Sequence, residues 1–231
     1  MPKINKSDIQ AVVRNNKYVG AMMIGDRDAH TTFSIQPFAA VGPHTVEVPY
    51  WASQITVAFS GGGGSGGNGG TSGQNGTGGI GGAVIIERFV VDPEVRELSM
   101  YIGGGGPRND SKEGLNGLNG ANTTVTYNGV TRTAPGGLAG TGKAGGNNQT
   151  GSAKSALFYN THVDLERMVE SNVFKPGVPG VGQSIGAGGG TAGQYGAGGG
   201  GGTGGWVGQW SPGGAGGNGM AVVYMIGRTL P

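Results

Sequence analysis

The chain has no cysteine, which excludes disulfides and cysteine-ligated metal sites. Charge is scarce where the chain is longest without interruption: no ionisable side chain other than tyrosine occurs from Val48 to Ile86 or from Pro176 to Gly227. Nucleic-acid binding needs clustered lysine and arginine, and a net charge of +2 does not provide it. No apolar run reaches the ~18 residues of a membrane span, and the opening MPKINKSDIQ lacks the apolar segment of a secretion signal. Synthesis in the cytoplasm without a signal peptide is the expectation. Glycine is also scarce at first: only Gly20, Gly25 and Gly42 precede residue 61.

After residue 60 the composition changes. Of the chain's 55 glycines, the remaining 52 (55 − 3) lie from Gly61 onward. They divide the chain into residues 1–58 and a glycine-rich segment, 59–231. Glycine-rich chains are commonly flexible linkers, but here the glycines have a period. Positions 61, 64, 67, 70, 73, 76, 79 and 82 are all glycine, as are 190, 193, 196, 199, 202, 205 and 208. GLNGLNGAN, from Gly114 to Asn122, repeats the step on a smaller scale.

A step of three is the repeat of the polyproline-II-type helix, which rises ~3.1 Å per residue and has no internal hydrogen bonds. Its backbone groups must be satisfied by neighbouring segments, and glycine permits the approach. Residues 61–82 drawn straight would span ~68 Å, whereas a compact chain of this length is about 45 Å across. The run must therefore double back into several short rods, antiparallel or mixed, stacked in layers. Ordering fifty glycines costs ~25–50 kcal/mol more than ordering alanines, so apolar strands have to supply burial; Val84, Ile86, Leu98, Met100, Val222, Val223 and Met225 are the candidates.

The strands are legible beside the rods. SDIQAVVRNNK places Ser7 and Gln10 in capping-box spacing and predicts a short helix from about Asp8 to Asn15. YVGAMMI, HTTFSI and HTVEV read as strands. SQITVAF alternates, with Ile55, Val57 and Phe59 on one side, and predicts a half-buried strand running into glycine. AVIIERFVV and MAVVYMI each follow a glycine run, and RELSMYI enters one. TTVTYNGVTRT is a hairpin with Asn128-Gly129 at its tip. A strand is expected at Ala156–Tyr159, with a helical turn or two after it.

SQITVAFSGGGGSGGNGG, GGAVIIERFVV, RELSMYIGGGG and GGNGMAVVYMI together resemble the glycine-rich domain of bacteriophage tail proteins. The pattern is also similar in kind to the receptor-binding adhesins at the tips of T-even-type long tail fibres. The resemblance runs from about Thr45 to the C-terminus. It implies a sandwich of polyglycine-II helices with flanking β-strands, mainly β or irregular in class, whose inter-helix loops bind a bacterial outer-membrane protein or surface glycan. Residues 1–58 are expected to form a small α+β or β module that attaches to a tail-fibre protein in the virion. T-even adhesins begin with a tryptophan-bearing attachment module; here the first tryptophan is Trp51.

The receptor-binding candidates are polar and aromatic residues that interrupt the glycine. Tyr195, Trp206 and Trp210 stand in GQYGAGGGGGTGGWVGQW, with Gln194 and Gln209 beside them. A rigid scaffold lets such aromatics bind with little entropy left to lose; the competing reading is that Trp206 and Trp210 cap the glycine layers. PRNDSKE contributes Arg108, Asn109 and Lys112, and the hairpin tip contributes Tyr127 and Asn128. NNQTGSAK is a further loop. A structural virion component, an ice-binding protein and a fibre-assembly chaperone are the alternatives.

No catalytic chemistry, cofactor, metal or nucleotide is expected. GLAGTGKA, Gly137–Ala144, has the glycines and lysine of a P-loop but sets Ala144 where Mg²⁺ needs a hydroxyl. His30, His44 and His162 are dispersed, and HVDLE has no third partner for metal or acid–base use.

Overall fold

A computed structural model describes residues 9–14, 17–23, 30–71, 73–143, 196–205 and 209–228. The expected strand at 156–159 and the loop at 147–154 lie outside them. Ten strands occur among the described residues: β1 Ile9–Arg14, β2 Lys17–Met23, β3 His30–Phe38, β4 Gly42–Glu47, β5 Gln54–Ser60, β6 Val84–Val90, β7 Glu97–Ile102, β8 Thr123–Tyr127, β9 Val130–Ala134 and β10 Met220–Arg228. They form two antiparallel sheets, ordered β1-β2-β3-β10-β5-β6 and β4-β7-β8-β9. The compositional boundary at 58/59 falls inside β5, and β3 pairs with β10 from the far end of the chain.

The helix expected over 8–15 is instead strand β1, in register with β2 through Val12 and Val19. Tertiary pairing outweighs the capping signal there, and the β-branched pair Val12-Val13 suits a strand. β5 also differs from expectation. It is buried on both faces rather than one. Ile55, Val57 and Phe59 join Leu98, Met100 and Val125 between the two sheets, while Ala58 packs on the opposite face with Phe33, Val222 and Tyr224. β10 is likewise buried on both sides, because it lies between β3 and β5. Val84 and Ile86 are only half-buried, packed against that second cluster. Asn128 and Gly129 both take positive φ, 45° and 72°, at the tip of the β8–β9 hairpin, as the sequence predicts.

Between the strands the described residues form seven rods, here numbered in chain order: 61–70, 74–83, 103–106, 115–121, 135–143, 196–205 and 211–219. Rod 1 lies at the centre, and its hydrogen bonds follow the step of three. Gly61, Gly64, Gly67 and Gly70 donate to rod 2 at Ala83, Ile80, Thr77 and Gln74. Gly62, Ser65 and Asn68 donate to rod 4; Gly63, Gly66 and Gly69 donate to rod 7. Its carbonyls accept from rods 3, 5 and 6, for example from Gly106, Gly137 and Gly199. Donor and acceptor numbers run in opposite senses for rods 2, 4 and 7, which are antiparallel to rod 1. They run in the same sense for rods 5 and 6, and rod 3, antiparallel to rod 7 through Gly216–Gly106 and Gly219–Gly103, is likewise parallel to rod 1.

The outer rods bond to one another in a closed ring, in the order 2, 5, 4, 3, 7, 6 and back to 2. Six neighbours around one rod, each bonded to it backbone to backbone, is the packing expected of three-residue glycine helices. The rods are direct extensions of the strands. β5 runs into rod 1, β7 into rod 3 and β9 into rod 5, while rods 2, 4 and 7 run into β6, β8 and β10. In the strand half, side chains hold the sheets roughly 10 Å apart. Where glycine begins, that filling ends and the layers close to hydrogen-bonding distance, as in Ser65 N to Leu118 O at 2.9 Å. A Cβ built at Gly64 would overlap the Leu138 carbonyl, so glycine is required there by the approach of a neighbour.

Candidate functional site

The molecule has two ends, set by the continuity of strands and rods. At the strand end lie the 128–129 turn and the connections 48–53 and 91–96. At the rod end lie residues 70–71 and 73–74, the loop 107–114, Lys143, Gly205 and residues 209–211. Ten residues of rod 1 at ~3.1 Å each and seven of β5 at ~3.3 Å each separate the ends by roughly 50 Å.

The candidates divide between these ends. Arg108, Asn109, Lys112, Gln209 and Trp210 meet at the rod end. Arg108 is exposed and pairs with Asp110. Asn109 shapes the loop from within: its Oδ1 accepts from Ser111 Oγ at 2.7 Å, and its Nδ2 donates to the Asn116 carbonyl at 3.2 Å. Lys112 and Gln209 are exposed. Trp210 is half-buried and bridged to Gly204, and Gly205 N donates to Gln209 O at 3.0 Å. Gln194, Tyr195 and Trp206 lie outside the described residues.

Tyr127 corrects the expectation of an aromatic hairpin tip. Its ring is 2% exposed and packs against Phe89 at 5.6 Å. Its hydroxyl accepts from Asp92 N at 3.0 Å and lies 3.1 Å from the Val95 carbonyl. Alternation decides this, since Tyr127 follows Thr123 and Val125 on the inward face of β8. Asn128 is exposed at the strand end, with Nδ2 donating to Asp92 Oδ2 at 3.1 Å. The prominent aromatic at that end is Tyr50, 84% exposed, with the Arg96 guanidinium 4.3 Å from its ring centre.

Loop 107–113 is tied down at both edges. Glu113 Oε2 accepts from Thr71 N at 2.8 Å, and Oε1 receives Lys143 Nζ at 3.0 Å. The Thr71 hydrogen bond, followed by that of Lys143, lowers the Glu113 carboxyl to about 2. From beneath, the buried Asn68 donates to two loop carbonyls. The sequence marks Ser65 and Asn68 only as interruptions of a glycine run, at three-residue spacing. That spacing is the signal: both take the edge of rod 1 that faces rod 4 and the exit of rod 3.

A second set of asparagines closes the outside of the lattice. Asn116 and Asn119 of rod 4, and Asn122 directly after it, accept from the amides of Gly142, Ala139 and Gly136 on rod 5, at 2.9, 2.8 and 2.9 Å. Among the described residues these amides meet no backbone acceptor, and the side-chain carbonyls supply it. The P-loop-like stretch is rod 5 itself. Its Gly137, Gly140 and Gly142 amides are bonded to Gly62 O, Ser65 O and Asn116 Oδ1, so they are not free to cradle phosphate.

A family model described as a glycine-rich domain matches residues 39–225. The chain belongs to this glycine-rich domain family. The match begins just after β3 and ends within β10, so the glycine-rich domain takes in all seven rods and strands β4–β9. β1, β2 and β3 precede it, and β3 is joined to the glycine-rich domain by its pairing with β10. No curated protein matches the chain.

Proposed function

We propose that this protein is a phage tail-fibre tip adhesin. In this reading the rod end of the glycine-rich domain meets a bacterial surface receptor, an outer-membrane protein or a glycan. The observation that carries the proposal is the anchoring of loop 107–113 and segment 209–211 on one end of a backbone-bonded lattice. Loops on a rigid scaffold commonly carry recognition. A loop already ordered has less entropy to lose on binding. Arg108, Lys112 and Gln209 would supply polar contacts, and Trp210 an aromatic anchor of the kind that dominates interface hot spots.

The opposite end, with β1–β3 and the exposed Tyr50, would face the tail fibre. The reading assigns no enzymatic step to the chain.

Host adsorption with loop-exchanged protein tests the proposal. Replacing 107–113 and 206–210 by glycine-rich spacers should abolish capture of the receptor from host outer-membrane extract while the thermal transition persists. Unchanged capture and host range in a folded variant would overturn it.

A further inference from the structure

Asn68 is fully buried, two residues before the end of rod 1. Its Nδ2 donates to the Asn109 carbonyl at 2.8 Å and the Lys112 carbonyl at 2.6 Å, and its Oδ1 accepts from Gly213 N at 3.1 Å. One amide group therefore reaches both loop 107–113 and the start of rod 7, three residues beyond Trp210. Rod geometry does not demand asparagine here, because Gly62 occupies the same phase of the repeat. The neighbour explains it. Rod 3 leaves the lattice at Gly106, and the chain returns to rod 1 only at Gly114, whose amide donates to Gly69 O. Across that gap the Asn68 side chain takes the place of the missing rod.

We propose that Asn68 is a positioning residue that locks loop 107–113 and segment 209–213 into one rigid surface. Its consequence for adsorption rests on the receptor-binding reading above; the lock itself does not. Its three partners are backbone groups, two carbonyls and one amide, so the lock holds whatever side chains the loop carries.

Amide exchange on the full chain tests the lock without a receptor. Asn68→Gly keeps a residue native to the lattice and removes the amide. Asn68→Asp keeps the shape but turns an acceptor toward the two loop carbonyls. In both variants the Ser111, Gly114, Ser211 and Gly214 amides should exchange about tenfold faster or more, while those of Gly79 and Gly140 stay protected. Ser211 and Gly214 donate to Thr203 and Gly200, not to Asn68, so their response reports transmission.

Inserting two glycines between Asp110 and Ser111 supplies the second arm. The insertion should accelerate Ser211 exchange in the wild type and add nothing in Asn68→Gly. Equal acceleration in both backgrounds, loosening of the loop alone, or loss of protection throughout the rods would overturn the proposal. Joint loosening with undiminished adsorption would support the lock and sink the receptor-binding reading.

Discussion

Ser65 and Leu118 clasp each other. Ser65 N donates to the Leu118 carbonyl at 2.9 Å, and Leu118 N donates back to Ser65 Oγ at 2.7 Å. Ser65 lies on the rod that prolongs β5, and Leu118 on the rod that leads into β8. Those strands belong to different sheets, with a side-chain core between them. The clasp marks the place where that core has ended and two layers have become one hydrogen-bonded body.

The closeness of the rods makes glycine substitution steeply position-dependent. A Cβ at Gly64 would overlap the Leu138 backbone, whereas a Cβ at Gly104 meets only Val41 side-chain atoms at 3.7 and 3.9 Å. Gly64→Ala should destabilise by ~3 kcal/mol or more through overpacking. Gly104→Ala should change stability by no more than about 1 kcal/mol, aided by a less flexible unfolded chain. Urea denaturation of the two variants checks the contrast.

The asparagine row on and directly after rod 4 should be visible one amide at a time. Changing Asn116, Asn119 and Asn122 together to alanine should speed exchange at Gly142, Ala139 and Gly136. Gly137 and Gly140, which donate to rod 1, should keep their protection. Each lost bond contributes ~0.5–1.5 kcal/mol, so the triple variant should lose about 2–4 kcal/mol. Asn119→Asp retains an acceptor and should preserve protection at Ala139. Residue-resolved exchange by NMR separates these outcomes.

Glu113 gives the rod end an acid sensitivity. Its folded carboxyl lies at about 2 against an ordinary 4.5, lowered by the Thr71 and Lys143 hydrogen bonds. A depressed folded value means the contribution is fully present above pH 4.5 and is lost as pH falls from there toward 2. Wild-type stability should therefore drop across that window by more than that of Glu113→Gln. The difference should shrink in high salt, because the Lys143 pair is solvent-accessible. Thermal transitions recorded from pH 6 to pH 2 test the sign.

Tyr127 should behave as a core residue. Tyr127→Phe leaves Asp92 N without the acceptor it has at 3.0 Å, which costs ~1–3 kcal/mol. In the proposed receptor-binding role, adsorption to host cells should be unaffected, because the ring lies inside the strand end, remote from loop 107–113.

The rod-end residues were only partly legible in the sequence. Arg108, Asn109 and Lys112 stand out because they belong to a polar, charged stretch between two glycine runs. Tyr127 stands out beside an Asn-Gly turn, yet alternation along β8 turns it inward. Glu113, Asn68 and the 116–119–122 row carry no local mark of their roles, since their partners lie 14 to 145 residues away.

By itself the sequence determined the conformation of the segments from β5 onward that the structure describes, though not of 8–15, where a capping signal stands on strand β1. The step of three from Gly61 dictates rods, the apolar alternation before it dictates β5, and Asn128-Gly129 dictates the hairpin. The tertiary structure alone decided which rod lies at the centre, which six surround it, and which loops share an end. The reason is physical: a three-residue glycine helix makes no hydrogen bond within itself, so its repeat fixes its shape and leaves every partner to be supplied by another part of the chain.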